Sequence, residues 1–113
     1  MPRAVLLHAI DDRLRRAAQL EREARHADAF VFLEQAHVLS QRLTLRHCRV
    51  HWRMLRNGWA RRDHREVLGQ TLRLPAAALF SRVWVPHGNT GGARVAALRP
   101  MPVPDDLKAL LEL

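Results

Sequence analysis

From Arg3 to Asn57 the chain contains neither glycine nor proline, and its apolar residues recur at helical spacing. That stretch admits almost nothing but helix. One uninterrupted helix of that length would be unusual in a small domain, so weaker signals must divide it. The first division falls at His26-Ala27-Asp28, where Asp28 is suited to cap a helix beginning at Ala29. Ahead of it, Ile10, Leu14, Ala17, Ala18 and Leu20 line one face of a first amphipathic helix. The second division falls between Ser40 and Thr44, centred near Arg42, with Thr44 as the next cap.

The third helix leaves at Asn57-Gly58 or a turn later at Trp59-Ala60. Asp63-His64-Arg65-Glu66 then has capping-box spacing, with Asp63 in the cap and Glu66 as the acid that reaches back. It opens a fourth helix, bent or ended near Pro75. Gly88 to Gly92 reads as a tight turn, since its glycines and Asn89 tolerate positive φ. Pro100, Pro102 and Pro104 form an extended arm before a short helix from Asp105 to Leu111. The expectation is an all-α chain: a small antiparallel bundle of about four helices, a Pro-rich C-terminal arm and a short final helix. One domain covers 1–113, with a helical core over about 3–80, loop and arm over about 81–104 and the last helix over about 105–111.

Composition removes several function classes. An apolar share of 48% supports a packed core and argues against disorder. No run of apolar residues is long enough to span a membrane. The N-terminus lacks the small-residue cleavage site of a secretory signal, and a single cysteine, Cys48, fits a reducing compartment, so the expected location is the cytoplasm. Net charge is +8, carried by eighteen arginines and one lysine. Arg13, Arg15, Arg16, Arg22 and Arg25 stud the first helix, whereas Arg46, Arg49, Arg53 and Arg56 lie on the third. Spread over separate faces, they suit solvated helices better than a groove-tracking stripe, so nucleic-acid binding is not favoured.

The chemistry concentrates in two short motifs. Glu34 and His37 form E-x-x-H, which points a carboxylate and an imidazole from one helix face, as in carboxylate-bearing metal bundles. His47 and His51 stand four residues apart, one turn up the same face of the third helix. With a turn centred near Arg42, His37 lies level with His47, and Glu34 with His51. His47 and His51 share their stripe with Val50, Met54 and Gly58, so both should face inward, and buried polar groups need partners.

One divalent transition-metal ion held by Glu34, His37, His47 and His51 would satisfy all four. Zinc, nickel, cobalt, iron and copper all accept such donors, and haem ranks below them. Glu66 and Gln70, four residues apart on the fourth helix, could complete or support the site, although capping is the simpler role for Glu66. The competing reading is a non-catalytic structural or interaction module whose buried His/Glu network only fixes helix register. A carrier or sensor ranks above an enzyme, because neither an independent nucleophile nor a substrate pocket is legible; a homo-oligomer is compatible with the sequence. His8, His26, His64 and His87 are isolated, and Trp52, Trp59 and Trp84 are expected to pack.

The segments LEQAHVLSQ (33–41), HCRVHWRMLRNGW (47–59), REVLGQTLRL (65–74), GNTGG (88–92) and PMPVPDDL (100–107) together resemble the bacterial domain-of-unknown-function family 3703. The resemblance implies that Glu34 with His37, His47 with His51, Glu66 with Gln70, and Gly88, Asn89, Thr90, Gly91 and Gly92 belong to the family pattern. It implies no activity. The pattern leads one to expect glycine at the end of the second helix, where this chain has Ser40, and an aromatic residue where His64 stands.

Overall fold

The computed structural model describes residues 2–81 and 83–112. Among them are five helices and no strand: α1 (Pro2–Arg22), α2 (His26–Ser40), α3 (Thr44–Ala60), α4 (His64–Phe80) and α5 (Asp105–Leu111). Three-residue connections separate the first four. They therefore run up and down, with α1 against α2, α2 against α3 and α3 against α4, while α5 returns to α1 and α2.

The core forms where small residues let helices approach closely. Ala17 of α1 and Ala29 and Ala36 of α2 are fully buried beside Ile10, Leu14, Leu33 and Leu39. Val50 and Met54 of α3 and Leu107 of α5 complete the cluster. Polar ties fix the helices laterally. Arg46 reaches Asp11 through two hydrogen bonds of 3.2 Å. Arg53 pairs with Glu21 at 3.0 Å, and Asn57 donates both to Glu21 and to the His26 carbonyl.

Two helix ends explain why the long glycine-free stretch can turn. At the end of α1, the Arg25 N–H bonds to the Leu20 carbonyl and the Ala24 N–H to Glu21. At the end of α3, the Asp63 N–H bonds to Gly58 and the Arg62 N–H to Trp59. Both are Schellman closures, and their left-handed position is filled by Ala24 (φ 59°) and Arg62 (φ 58°) instead of glycine. The turn between α2 and α3 spans residues 41–43, as the sequence suggests, and contains no positive φ. Ser40 is thus accommodated where the family pattern leads one to expect glycine.

Several local expectations are corrected. Helix α2 starts at His26, ahead of Asp28, and Arg25 stands in the cap position without a side-chain capping bond. Asp28 lies in the first turn and pairs with Arg25 at 2.9 Å. The cap of α3 is Leu43, with Thr44 already helical. By contrast, α4 continues through Pro75 to Phe80, the expected end of the helical core; the carbonyl that Pro75 leaves without a donor belongs to exposed Thr71, where water can satisfy it. Trp52, Trp59 and Trp84 are 50%, 71% and 52% exposed, so they are not core residues.

The left-handed residues generate a stability prediction. A Cβ at such a φ costs roughly 1–2 kcal/mol, partly offset by the greater unfolded-state freedom of glycine. Ala24→Gly and Arg62→Gly should each stabilise the protein by roughly 0.5–1 kcal/mol, read from urea denaturation midpoints. A loss of stability in both variants would contradict the assigned backbone.

Candidate metal centre

Because the α2–α3 turn is centred near Arg42, His37 comes level with His47. The i, i+4 spacing then stacks His51 one turn further along the same face of α3. All three residues are buried. Their Nε2 atoms form a nearly equilateral triangle: His37 to His47 3.0 Å, His37 to His51 3.1 Å and His47 to His51 3.1 Å. The ring centroids lie 4.7–4.8 Å apart.

The outer nitrogens decide what the inner ones carry. His37 Nδ1 lies 2.7 Å from the carbonyl oxygen of Asn89 and can only donate to it. Its single neutral-state proton is therefore on Nδ1, leaving a lone pair on Nε2. His51 Nδ1 contacts Gln70 Oε1. The Gln70 amide nitrogen donates to Glu66 Oε2 and to the Gly91 carbonyl, each at 2.7 Å, so its oxygen must be the atom facing His51. His51 thus also donates from Nδ1 and presents a bare Nε2. His47 Nδ1 has no hydrogen-bond partner, although it is buried.

Two lone pairs consequently face each other across 3.1 Å, and a proton on His47 Nε2 can serve only one of them well. An additional proton is opposed by the surroundings. Burial, followed by the neighbouring His51 and His47, holds His37 well below the ordinary imidazole range. Burial, then His51, lowers His47 to about 3. Burial outweighs the Gln70 hydrogen bond and lowers His51 to about 4. Three neutral imidazoles, at least two of them with lone pairs turned inward, form a Lewis-basic site.

The loop after α4 closes this site. Gln41, just past α2, donates to the Pro86 carbonyl and accepts from the Gly88 N–H. The Asn89 side chain donates to the Ala96 and Arg99 carbonyls and accepts from the Gly91 N–H, shaping the loop so that its own carbonyl meets His37. A Cβ on Gly91 would fall 2.4 Å from His37 Cδ2, and its φ is +87°. The Gly-Asn-Thr-Gly-Gly segment is therefore more than the turn read from the sequence: it forms the wall against which the His37 ring is held.

Of the residues singled out in the sequence, the three histidines converge and Glu34 does not. Among the described residues, the ligand atoms lying within 4.8 Å of one another are those of His37, His47 and His51. Glu34, one turn before His37 on α2, is not among them. Its carboxyl is paired with the Thr90 side chain, and burial raises its pKa against that bond. Glu66 does not reach back as a capping-box acid. Asp63 alone caps α4 by accepting from the Glu66 N–H, while the buried Glu66 carboxylate accepts from Gln70 and from the Ala93 N–H at 2.9 Å. Gly58 makes room for it, since a Cβ there would lie 3.0 Å from the Glu66 side chain.

Sequence reasoning also missed a cavity of about 260 Å³ that borders all three histidines and extends past Arg73, Phe80, Trp84 and Leu98. Its walls come from α4 and the loop that follows it, folded back over the histidines of α2 and α3, which lie far away in the chain. The only sequence signal for it is the run of small residues Ala76-Ala77-Ala78, which leaves space beside α3.

Two predictions concern the metal-free protein. The imidazoles titrate lower in the folded than in the unfolded chain. Between roughly pH 4 and 6.5 the unfolded state therefore binds more protons, and stability is fully present above about 6.5 and lost as pH falls. Urea midpoints of chelator-treated protein should fall from pH 7.5 to pH 5; equal midpoints would contradict buried neutral imidazoles. Gly91→Ala should cost roughly 2–4 kcal/mol, combining left-handed strain with a clash against His37. A cost within 0.5 kcal/mol, a value on the order of an ordinary surface change, would mean that the loop is not fixed on that ring.

No curated protein and no solved structure matches the chain. One family model matches residues 4–111, nearly the whole length, and the five ordered segments noted in the sequence lie inside that match. The chain belongs to the family described as protein of unknown function, DUF3703.

Proposed function

We propose that this protein binds one divalent transition-metal ion through the Nε2 atoms of His37, His47 and His51. The observation that carries the reading is the triangle of Nε2 atoms in which at least two tautomers are fixed with their lone pairs inward. A hydrogen-bonded network of neutral imidazoles leaves the His37–His51 edge repulsive, whereas an ion turns all three lone pairs into bonds. Edges of 3.0–3.1 Å would let all three Nε2 atoms reach one ion at typical metal–imidazole distances of about 2.0–2.1 Å. The ion would supply Lewis acidity beside the histidines, with room for a further ligand.

An all-nitrogen donor set of this kind suits zinc, nickel, cobalt, copper and ferrous iron. Asn89 and Gln70 support the reading, because a ligating histidine ordinarily donates its other N–H to a carbonyl or amide oxygen. Glu34 is left out of the ligand set; its place is beside Thr90. The alternative of an arginine-rich nucleic-acid binder is weakened by Arg46, Arg53 and Arg61, whose charges are engaged by Asp11, Glu21 and Asp63.

Metal analysis of the untagged protein after incubation with Zn²⁺ and desalting should give close to one equivalent. His47→Ala and His51→Ala should retain little, and Glu34→Gln should retain the wild-type amount. Saturating metal at about 100 times Kd should stabilise the wild type by roughly 2.7 kcal/mol and leave His51→Ala unmoved. Substoichiometric metal that is equal in wild type and both histidine variants would overturn the assignment.

A further inference from the structure

The cavity beside the histidines extends the metal reading to a ligand. Three imidazoles leave at least one coordination position open, and the cavity of about 260 Å³ borders all three of them. At about 30 Å³ per water-sized unit, it has room for on the order of eight non-hydrogen atoms. Its walls are mostly apolar. Ala76, Ala77 and Val85 form its sides, while Phe80, Trp84 and Leu98 are 60%, 52% and 72% exposed around its rim. Such a rim suits the entry of an apolar body.

Charge indicates the other end of the ligand. The three histidines are neutral donors, so a divalent ion on them keeps its full double charge in a buried site. No carboxylate joins them among the described residues, since Glu34 faces Thr90 and Glu66 faces Gln70 and Ala93. The cavity also contains Arg73, a partly buried guanidinium that donates to the Gly91 and Val95 carbonyls and has no ion-pair partner among the described residues. The buried Glu66 acts on Arg73 through space without pairing with it, and positive charge next to apolar walls is the complement of a small amphiphilic anion.

We infer that the three-histidine centre binds a small organic carboxylate, its head on the metal beside Arg73 and its apolar body between α4 and the loop at Val85 and Leu98. The inference rests on the metal reading and deepens it, because it gives the open coordination side an occupant. Aliphatic and aromatic carboxylates share this chemistry, and the length and shape of the body separate them.

The test uses the Co²⁺-loaded full chain, whose visible absorption reports the ligands on the metal. Acetate, hexanoate, benzoate and neutral hexanol are titrated separately. Hexanoate or benzoate should change the spectrum at concentrations at least tenfold below acetate, since each buried methylene contributes about fourfold. Hexanol should leave the spectrum unchanged. Ala76→Trp, which fills the cavity from α4, should keep stoichiometric Co²⁺ and lose the preference for hexanoate and benzoate over acetate. Equal response to acetate and the longer acids overturns the apolar subsite and leaves the metal site standing, as does retention of the preference in Ala76→Trp. A hexanol response equal to that of hexanoate overturns the anionic head. Failure of the wild type to take up stoichiometric Co²⁺ defeats the metal reading and this inference together.

Discussion

The hydrogen bond from His37 Nδ1 to the Asn89 carbonyl is the contact on which the centre depends. It joins α2 to a loop more than fifty residues away, and it settles which nitrogen of His37 faces the protein interior. Without it the ring could take the other tautomer, offer an N–H to His51 and close an ordinary polar network. With it, the inward nitrogen is a lone pair. Asn89 itself is fixed by three side-chain hydrogen bonds to its own loop, and Gly91 lies flat against the ring where a side chain would collide. Polar satisfaction outside the triangle therefore creates the unsatisfied triangle inside it.

Helix α4 carries the parallel constraint for His51. Gln70 is held by Glu66 and Gly91 and turns its oxygen toward His51, so a three-member chain from Glu66 through Gln70 to His51 fixes the second tautomer. Asp63 starts this helix at the required place by capping it, and Gly58 lets the Glu66 side chain lie close against α3. Burial then keeps the imidazoles neutral, and neutral imidazole is the form that binds a metal without first losing a proton. Elements that look like ordinary helix punctuation in the sequence are thus the means by which the site is oriented.

How much of this the sequence reveals follows from the range of each interaction. The helix order and the turn near Arg42 rest on local spacing, and the convergence of His37, His47 and His51 follows from that turn alone. Glu34 stays out of the triangle because its carboxyl is held by Thr90, a loop residue that helical spacing does not place beside it. Glu66 was assigned to capping because its spacing from Asp63 fits, whereas its partner Ala93 lies on a loop that no periodicity locates. The Trp residues read as packing residues, yet the bundle fills its centre with alanine, leucine and histidine and leaves Trp52, Trp59 and Trp84 at least half exposed. The roles of the Asn89 carbonyl and Gly91 depend on contacts more than fifty residues apart in the chain, beyond the reach of pattern reading.

The ligand set that emerges differs in charge from the one the motif suggests. With Glu34 included, a divalent ion would retain a single positive charge and sit in a nearly closed four-ligand cage, which suits storage or a structural role. Without it, an ion held by the three histidines would keep its double charge and at least one free position, on a side bordering a cavity that also holds Arg73. The buried Glu66 carboxylate, reached from His51 through Gln70, would offset part of that charge, and an anion on the open side would offset the rest. On the proposed reading, the loss of one carboxylate to Thr90 therefore separates a closed metal cage from a site open to a further ligand.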